Sequence, residues 1–190
     1  MTTFELPEEI DPKVRDVVLY FTYKSGVPLN ATRIMKLAYL AELRAIEMWG
    51  RRLTGAEFKH WHHGPWSPEV ALAMEGVPEL RMEVKQTAKG REGKFFRPTQ
   101  KSAALSSLTE KESSLLKEVF LHWIFVPNDQ LVEATKKSPP FIWTRFGDAI
   151  PFDEYREFAE RLRQARADVF EDVVELNSRD DVRAFVKSLE

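Results

Sequence analysis

The segment from Leu29 to Val70 constrains this chain most, because it joins a long amphipathic helix to a turn rich in aromatic rings. Its first half repeats apolar residues at three- and four-residue spacing, which is the pattern of a helix with one buried face. Asn30 or Thr32 can cap the start of this helix, and Gly50 lies where it should end. The repeating apolar residues are Ile34, Leu37, Ala38, Ala41, Ala45 and Met48. The segment therefore predicts a capped central helix.

The second half of the segment, Thr54–Trp66, has no sustained period and concentrates aromatic rings. It holds two of the chain's five tryptophans and three of its four histidines. From His63 through Gly64 and Pro65 to Trp66 the sequence predicts a turn, because glycine permits conformations closed to other residues and proline fixes one backbone angle. A short helix is predicted to follow, with Ser67 as its cap, Pro68 as its first residue and Gly76 at its end.

The rest of the chain adds helices and one ribbon. The predicted elements begin with a helix from Pro12 to about Lys24 and a two-stranded ribbon of Arg81–Lys85 and Lys94–Arg97. A helix then opens with the capping box of Thr109 and Glu112 and ends at Pro127, and a short helix follows, capped by Asn128 or Asp129 and terminated by Pro139 and Pro140. The last predicted element is a long helix capped by Asp153, with Phe158, Leu162 and Ala165 facing inward. We therefore expect a mostly α (α+β) fold, a compact multi-helix single domain with a small β-hairpin. Residues 1–170 are expected to form the domain and residues 171–190 a C-terminal helical tail packed on it.

Composition limits the classes of function. The chain of 190 residues is 43% hydrophobic and can bury one substantial core. It contains no cysteine, which excludes disulfides, thiol nucleophiles and cysteine-ligated metal centres. Its first residues lack the basic and apolar regions of a signal peptide, and no apolar run approaches the roughly 20 residues that span a bilayer. We expect a cytoplasmic protein without a membrane segment.

No motif in the chain predicts catalysis. The sequence has no Gly-x-Ser-x-Gly elbow and no glycine-rich phosphate loop. His60 and His62 would face the same side of an extended stretch, but their spacing matches no common zinc motif. Packing or local hydrogen bonding is the commoner role of such histidines. We therefore expect no enzyme activity, no metal and no cofactor.

The net charge of −2 gives no overall attraction to nucleic acid. A local basic patch remains, because four basic residues gather around the central motif: Arg44, Arg51, Arg52 and Lys59. A solvated face is the commoner meaning of such a cluster. Binding to duplex DNA stays open as an alternative, and its strong salt dependence would identify it.

The order of residues in the central segment resembles a known family. Lys36 to Leu43 reads K-L-A-Y-L-A-E-L, and a Leu-Thr-Gly, Phe58, Trp61, His63-Gly64-Pro65, Pro68 and Val70 follow. This order is similar to the Panacea or SocA-like antitoxin domain, a phage-associated GepA-like family, and the resemblance extends from about Val14 to Tyr155. One departure is that Thr135 is followed by Lys136, where many members carry a Thr-His pair.

The resemblance implies an antitoxin that neutralises a cognate toxin protein, by direct binding or by delivering it to a protease such as a Clp-type machine. Neither role requires catalytic residues. A DNA-binding transcriptional regulator and a phage-associated protein that binds a host factor are the alternatives.

Tryptophan and arginine are enriched at the energetic centres of protein interfaces. We therefore predict a partner-binding surface formed by Arg51, Arg52, Lys59, Trp61, His63 and Trp66. In the competing interpretation Trp61 and Trp66 are simply buried rings that hold the turn to the helix. The residues predicted to shape the motif rather than to contact a partner are Lys36, Tyr39, Gly64, Pro65 and Pro68.

Overall fold

The protein is an α+β domain built around one central helix, and the computed structural model describes residues 9–86 and 90–175. This architecture confirms the predicted fold class. The helices are α1 (Pro12–Ser25), α2 (Ala31–Trp49), α3 (Pro68–Gly76), α4 (Glu110–Trp123), α5 (Asn128–Lys136), α6 (Pro139–Trp143) and α7 (Phe152–Glu175). The strands are β1 (Leu29–Asn30), β2 (Lys59–Trp61), β3 (Gly64–Trp66), β4 (Leu80–Gln86) and β5 (Glu92–Pro98).

The central helix α2 begins and ends where the sequence predicts. The Asn30 side chain accepts a hydrogen bond from the Thr32 amide at 2.8 Å, and Gly50 closes the helix in the left-handed region with φ 65°. Burial extends over more than one face, because α1, α3, α4, α5 and α7 all pack against α2. Met48 is an exception to the predicted apolar stripe, with 44% of its surface exposed.

Helix α1 covers one side of α2. The Asp11 carboxylate caps its start by accepting from the amides of Lys13 and Val14. The apolar residues that α1 buries completely are Val18, Leu19 and Phe21. These residues form part of the hydrophobic core.

The ribbon predicted between residues 81 and 97 is present and longer than expected. Strands β4 and β5 pair in antiparallel register, with Met82 opposite Phe96. Strand β1 joins the far side of β5 and places Leu29 opposite Phe96, so the sheet has three strands in the order β1-β5-β4. A strand of two residues is too short to show an alternating pattern, which explains why β1 was not predicted.

A second hairpin, β2–β3, lies where a turn was predicted. Trp61 pairs with Gly64, so the connecting residues are His62 and His63. The prediction of a turn from His63 to Trp66 was therefore wrong, since Gly64–Trp66 is a strand. Gly64 takes φ +85° at the exit of the actual turn, which accounts for the glycine.

The capping box of α4 is confirmed, and the cap of α5 is not. The Thr109 hydroxyl accepts from the Glu112 amide at 3.2 Å, and the Glu112 carboxylate accepts from the Thr109 amide at 3.0 Å. Asn128 is the first helical residue of α5, and Pro127 precedes it without a side-chain cap. The short helix does end before the proline pair, but Pro139 and Pro140 also open α6, since proline suits the first turn of a helix.

Helix α7 buries a different face from the predicted one. Its buried apolar side chains are Phe152, Tyr155 and Ala159. Phe158 and Leu162 are 37% and 45% exposed, and Ala165 is exposed as well. Asp153 lies within the first turn rather than before it. The apolar period predicts the helix, but it does not distinguish which of the two apolar stripes on α7 is buried.

The predicted packing of the tail from residue 171 onward lies outside the described residues, except that α7 continues to Glu175. Within the described residues, none of the helices combines the length and the apolar composition that crossing a bilayer requires.

Candidate functional site

The β2–β3 hairpin rests on a buried lysine of the central helix. Lys36 is 2% exposed, and its Nζ donates a hydrogen bond to the Pro65 carbonyl at 2.7 Å. A Cβ atom at Gly64 would lie 3.3 Å from Lys36 Nζ and 3.1 Å from Thr135 Oγ1. A side chain at position 64 would therefore press against the end of the Lys36 side chain and against Thr135. Burial lowers the pKa of Lys36 to about 7, and the positive charge of Lys136 acts in the same direction.

Tyr39, one turn after Lys36, ties the central helix to the start of α6. Its phenol donates to Ser138 Oγ at 2.7 Å, and the Ser138 hydroxyl donates to the Thr135 carbonyl at 2.7 Å. Burial raises the pKa of Tyr39. The tyrosine ring packs against Phe58 and Phe152 with centroid distances of 5.5 and 6.0 Å. Lys36 and Tyr39 thus fix the hairpin and its surroundings from beneath.

The segment that follows α6 runs beside β2 like a further strand. The His60 amide donates to the Asp148 carbonyl at 3.0 Å, and the Gly147 amide donates to the His60 carbonyl at 2.9 Å. The His60 Nδ1 atom lies 2.7 Å from the Thr144 carbonyl, and the ring packs on Phe141 at a centroid distance of 3.9 Å. His60 therefore holds two distant parts of the chain together.

An aromatic cluster forms where this segment meets the hairpin. Trp61 stacks on Phe146 with centroids 5.0 Å apart and planes inclined by 20°. His62 and Trp66 extend the cluster, at 4.4 Å from Phe146 and 6.4 Å from Trp61. Phe146 is 52% exposed and the two tryptophans are half-buried.

We call this cluster, with its neighbours in the hairpin, the hairpin surface: Lys59, Trp61, His62, His63, Trp66 and Phe146. Four of these residues are among the predicted partner contacts. Sequence reasoning missed Phe146, because it lies far from the hairpin along the chain and in a loop without a periodic pattern. Trp66 also packs against the hydrophobic core, so the competing interpretation of a buried ring describes it in part.

The two remaining predicted contacts, Arg51 and Arg52, are not part of the hairpin and follow the C-terminal end of α2. The Arg51 guanidinium is 5.1 Å from the Trp49 ring centroid, whereas the hairpin rests on Lys36. The helix between Lys36 and Trp49 spans about 20 Å at ~1.5 Å per residue. The structure thus brings Lys59, Trp61, His63 and Trp66 together in the hairpin, whereas Arg51 lies at the other end of α2 and Arg52 lies beside Phe152.

Arg52 is engaged in holding the loop after α2. Its guanidinium lies over Phe152, 4.1 Å from the ring centroid, and donates to the Ala56 carbonyl. Its Nε is 3.4 Å from the carboxylate of Glu42, which is 1% exposed.

Glu42 in turn accepts hydrogen bonds from the amides of Leu53 and Thr54, both at 3.0 Å. Burial raises the pKa of Glu42, while the charge of Arg52 and these hydrogen bonds act against that shift. The loop of residues 50–56 is thereby fastened along the central helix.

Each member of the predicted basic patch lies next to a carboxylate. Arg44 is 2.6 Å from Glu118 and Arg51 is 3.3 Å from Glu112. The other two pairs are Arg52 with Glu42 at 3.4 Å and Lys59 with Glu57 at 3.1 Å. The patch is therefore largely neutralised by its own surroundings.

Within residues 9–86 and 90–175, the histidines and carboxylates form no group of three or more that could hold a metal ion.

Comparison with protein families gives one match: the family model described as "Antitoxin SocA-like, Panacea domain" fits residues 34–144, more than half of the chain. No curated protein and no solved structure matches significantly. The matched region contains both strands of the hairpin and α6, and it ends just before Phe146.

Proposed function

This chain belongs to the family of SocA-like antitoxins with a Panacea domain, and we propose that it neutralises a cognate toxin protein by binding it through the hairpin surface. The observation that supports this site is the stack of half-buried Trp61 on Phe146, which is 52% exposed. Large aromatic side chains that remain accessible on a folded protein are typical anchors of protein interfaces.

Hydrogen bonds connect the hairpin surface to the rest of the fold in the absence of a partner. Lys36 holds Pro65 from below, and the backbone of His60 is hydrogen-bonded to Gly147 and Asp148, just after Phe146. A surface that is already ordered loses little conformational freedom on association, which favours affinity. These contacts support a binding role that needs no rearrangement of the hairpin.

The DNA-binding alternative draws less support from the charge distribution. Since the basic residues around the central motif each contact a carboxylate, few of them are available to neutralise phosphates. Delivery of the toxin to a protease is compatible with the same binding function, because an adaptor must also bind its cargo.

The test is co-expression of this chain with the product of the adjacent reading frame, with growth and co-purification as readouts. We expect rescue of growth and a stable complex. The variants Trp61→Ala and Phe146→Ala should weaken the complex at least about tenfold each, in line with the loss of ~1.4 kcal/mol or more at an interface anchor.

Phe125→Ala provides the matched control, because Phe125 is 91% exposed on the connection between α4 and α5 and lies outside the hairpin surface. It should neutralise the toxin normally. Unchanged binding by folded Trp61→Ala and Phe146→Ala variants would refute the assigned site. Rescue accompanied by loss of the neighbour's protein would indicate proteolytic delivery, and salt-sensitive binding to duplex DNA without any association would favour a regulator.

A further inference from the structure

Among residues 9–86 and 90–175, no strand pairs with the outer edge of β4. Strand β4 pairs with β5 on one side only, and it is the edge of the three-stranded sheet. In the described part of the chain, no backbone hydrogen bond from another segment reaches the outer edge between Arg81 and Gln86. Met82 and Val84 are 45% and 57% exposed on this strand. An open edge of this kind is a template for another strand.

The charges on β4 favour a particular kind of partner strand. Arg81, Glu83 and Lys85 alternate in sign at two-residue spacing and therefore lie on one face of the strand. Proteins that block edge pairing usually place charges there that an approaching strand cannot match. In an antiparallel pair of two β4 strands centred on Met82, Arg81 faces Glu83 of the second copy, and the same contact occurs twice by symmetry.

The same register also matches the other face. Met82 lies opposite Met82 of the second copy, and Leu80 lies opposite Val84. A register centred on Glu83 instead places Glu83 opposite itself and Arg81 opposite Lys85, which sets like charges against each other. A register centred on Val84 matches charges but sets Met82 against Gln86. Of these three registers, only the one centred on Met82 sets opposite charges against each other on one face and apolar side chains against each other on the other.

We propose that two copies of this chain pair through β4 in antiparallel fashion, centred on Met82, to form a continuous six-stranded sheet across a two-fold axis. This self-association is separate from the proposed toxin binding, because it uses the outer ribbon rather than the hairpin surface. A strand pairing this short belongs to the small interfaces, below about 1,200 Å² of buried surface, so the dimer exchanges readily with the monomer.

The absence of cysteine from the chain makes a direct test possible. In the proposed register the two Met82 Cα atoms lie about 4.5–5.5 Å apart, within the range that a disulfide bridges. Met82→Cys should therefore form a disulfide-linked dimer of the purified protein under mild oxidation, read on a non-reducing gel.

Val84→Cys is the matched control, because Val84 is at least as exposed and lies on the same strand. In this register the two Val84 Cα atoms are about 14 Å apart at ~3.4 Å per residue, too far for a disulfide. We expect the cross-linked fraction of Met82→Cys to exceed that of Val84→Cys several-fold. Equal fractions, a larger fraction for Val84→Cys, or no cross-link in either variant would overturn the proposal.

A charge exchange tests the same register independently. In the Met82→Cys background, Arg81→Glu and Glu83→Arg should each reduce cross-linking, because each sets like charges opposite one another. A mixture of the two variants should restore it, since both cross-strand pairs are then of opposite sign. Cross-linking that is indifferent to Arg81→Glu would also overturn the proposal. The toxin is absent from these experiments, so their failure leaves the proposed antitoxin function untouched.

Discussion

Several ionisable side chains in this protein are buried and act as structural fasteners. Each of three such residues is no more than 2% exposed: Lys36, Glu42 and Glu112. Lys36 and Glu42 bond to segments outside their own helix, and Glu112 bonds to the residue that caps the start of its own helix. Burying a charge costs free energy unless hydrogen bonds or an opposite charge compensate. The compensation for this cost differs among the three residues, because Glu42 and Glu112 contact cations whereas Lys36 contacts a backbone carbonyl.

Lys36 should make the stability of the protein rise with pH above neutrality. Its pKa is about 7 in the folded chain and 10.5 as a free side chain, so the unfolded state binds more protons between these values. The free energy of unfolding therefore gains from Lys36 as pH rises from 7 towards 10.5. We expect Lys36→Met to show a smaller increase between pH 6 and pH 9, measured by urea unfolding.

The control for this experiment is Lys117→Met, since Lys117 is exposed on α4. It should keep the pH dependence of the unchanged protein. Parallel curves for Lys36→Met and the unchanged protein would contradict the assignment.

Glu112 should make the stability of the protein fall at acid pH. Burial on its own raises the pKa of a carboxyl group, but here the Thr109 amide and the Lys13 ammonium outweigh it and lower the pKa to about 2. Because the pKa is lower in the folded state, the contribution of Glu112 to stability is present above the ordinary pKa of 4.5 and is lost as the pH falls towards 2. We expect Glu112→Gln to be less stable than the unchanged protein at pH 7, with the difference shrinking by pH 3.

Thermal unfolding followed by circular dichroism at these two pH values measures the effect. A constant difference between the two proteins across this range would show that Glu112 is not the titrating group.

At the scale of elements, the long helices could be predicted and the short strands could not. A cap such as Asn30, an apolar period and a terminal Gly50 all lie within one stretch of chain, so α2 carries its own signals. The β2–β3 hairpin depends on Lys36 and on backbone groups of residues 147 and 148, which no local pattern reveals. The candidate site follows the same rule, since its hairpin residues are neighbours in the sequence and Phe146 is remote from them.

The connection between α4 and α5 owes its shape to a residue of α2. The Arg33 guanidinium donates to the carbonyls of Trp123, Ile124 and Val126 at 2.9, 2.9 and 2.7 Å. These bonds satisfy carbonyls at and just after the end of α4 that have no helical partner. The arginine thus replaces a glycine cap at this helix end.

We predict that Arg33→Met lowers the free energy of unfolding by about 2–4 kcal/mol, because the half-buried carbonyls lose a charged donor. Arg44→Met is the control, since Arg44 forms an exposed ion pair with Glu118 and should change stability by less than about 1 kcal/mol. Chemical unfolding of both variants gives the comparison, and equal losses would show that the connection does not depend on Arg33.

At the scale of the whole molecule, α2 is the common support and the surrounding helices come from both ends of the chain. Helices α1 and α7 both pack on it, yet they lie outside residues 34–144 that the family model matches. Phe21 from α1 and Phe152 from α7 are 0% and 5% exposed. The matched region is therefore part of a larger folding unit.

A fragment of residues 34–144 should accordingly fail to fold cooperatively, because removing α1 and α7 exposes the apolar faces of α2 that they cover. A fragment of residues 9–175 should unfold in one sharp transition. Differential scanning calorimetry of both fragments measures this, and a cooperative transition in the shorter one would contradict the expectation.

The hydrogen bonds that join His60 to residues 147 and 148 have a consequence for attempts to redirect this protein to a new partner by directed evolution. Two stretches separated by more than eighty positions in the sequence form the hairpin surface, so a library that randomises only residues 59–66 leaves Phe146 constant. Each new side chain at Trp61 must find a compatible one at Phe146. Useful diversity therefore requires that both stretches be varied together and selected as a single unit.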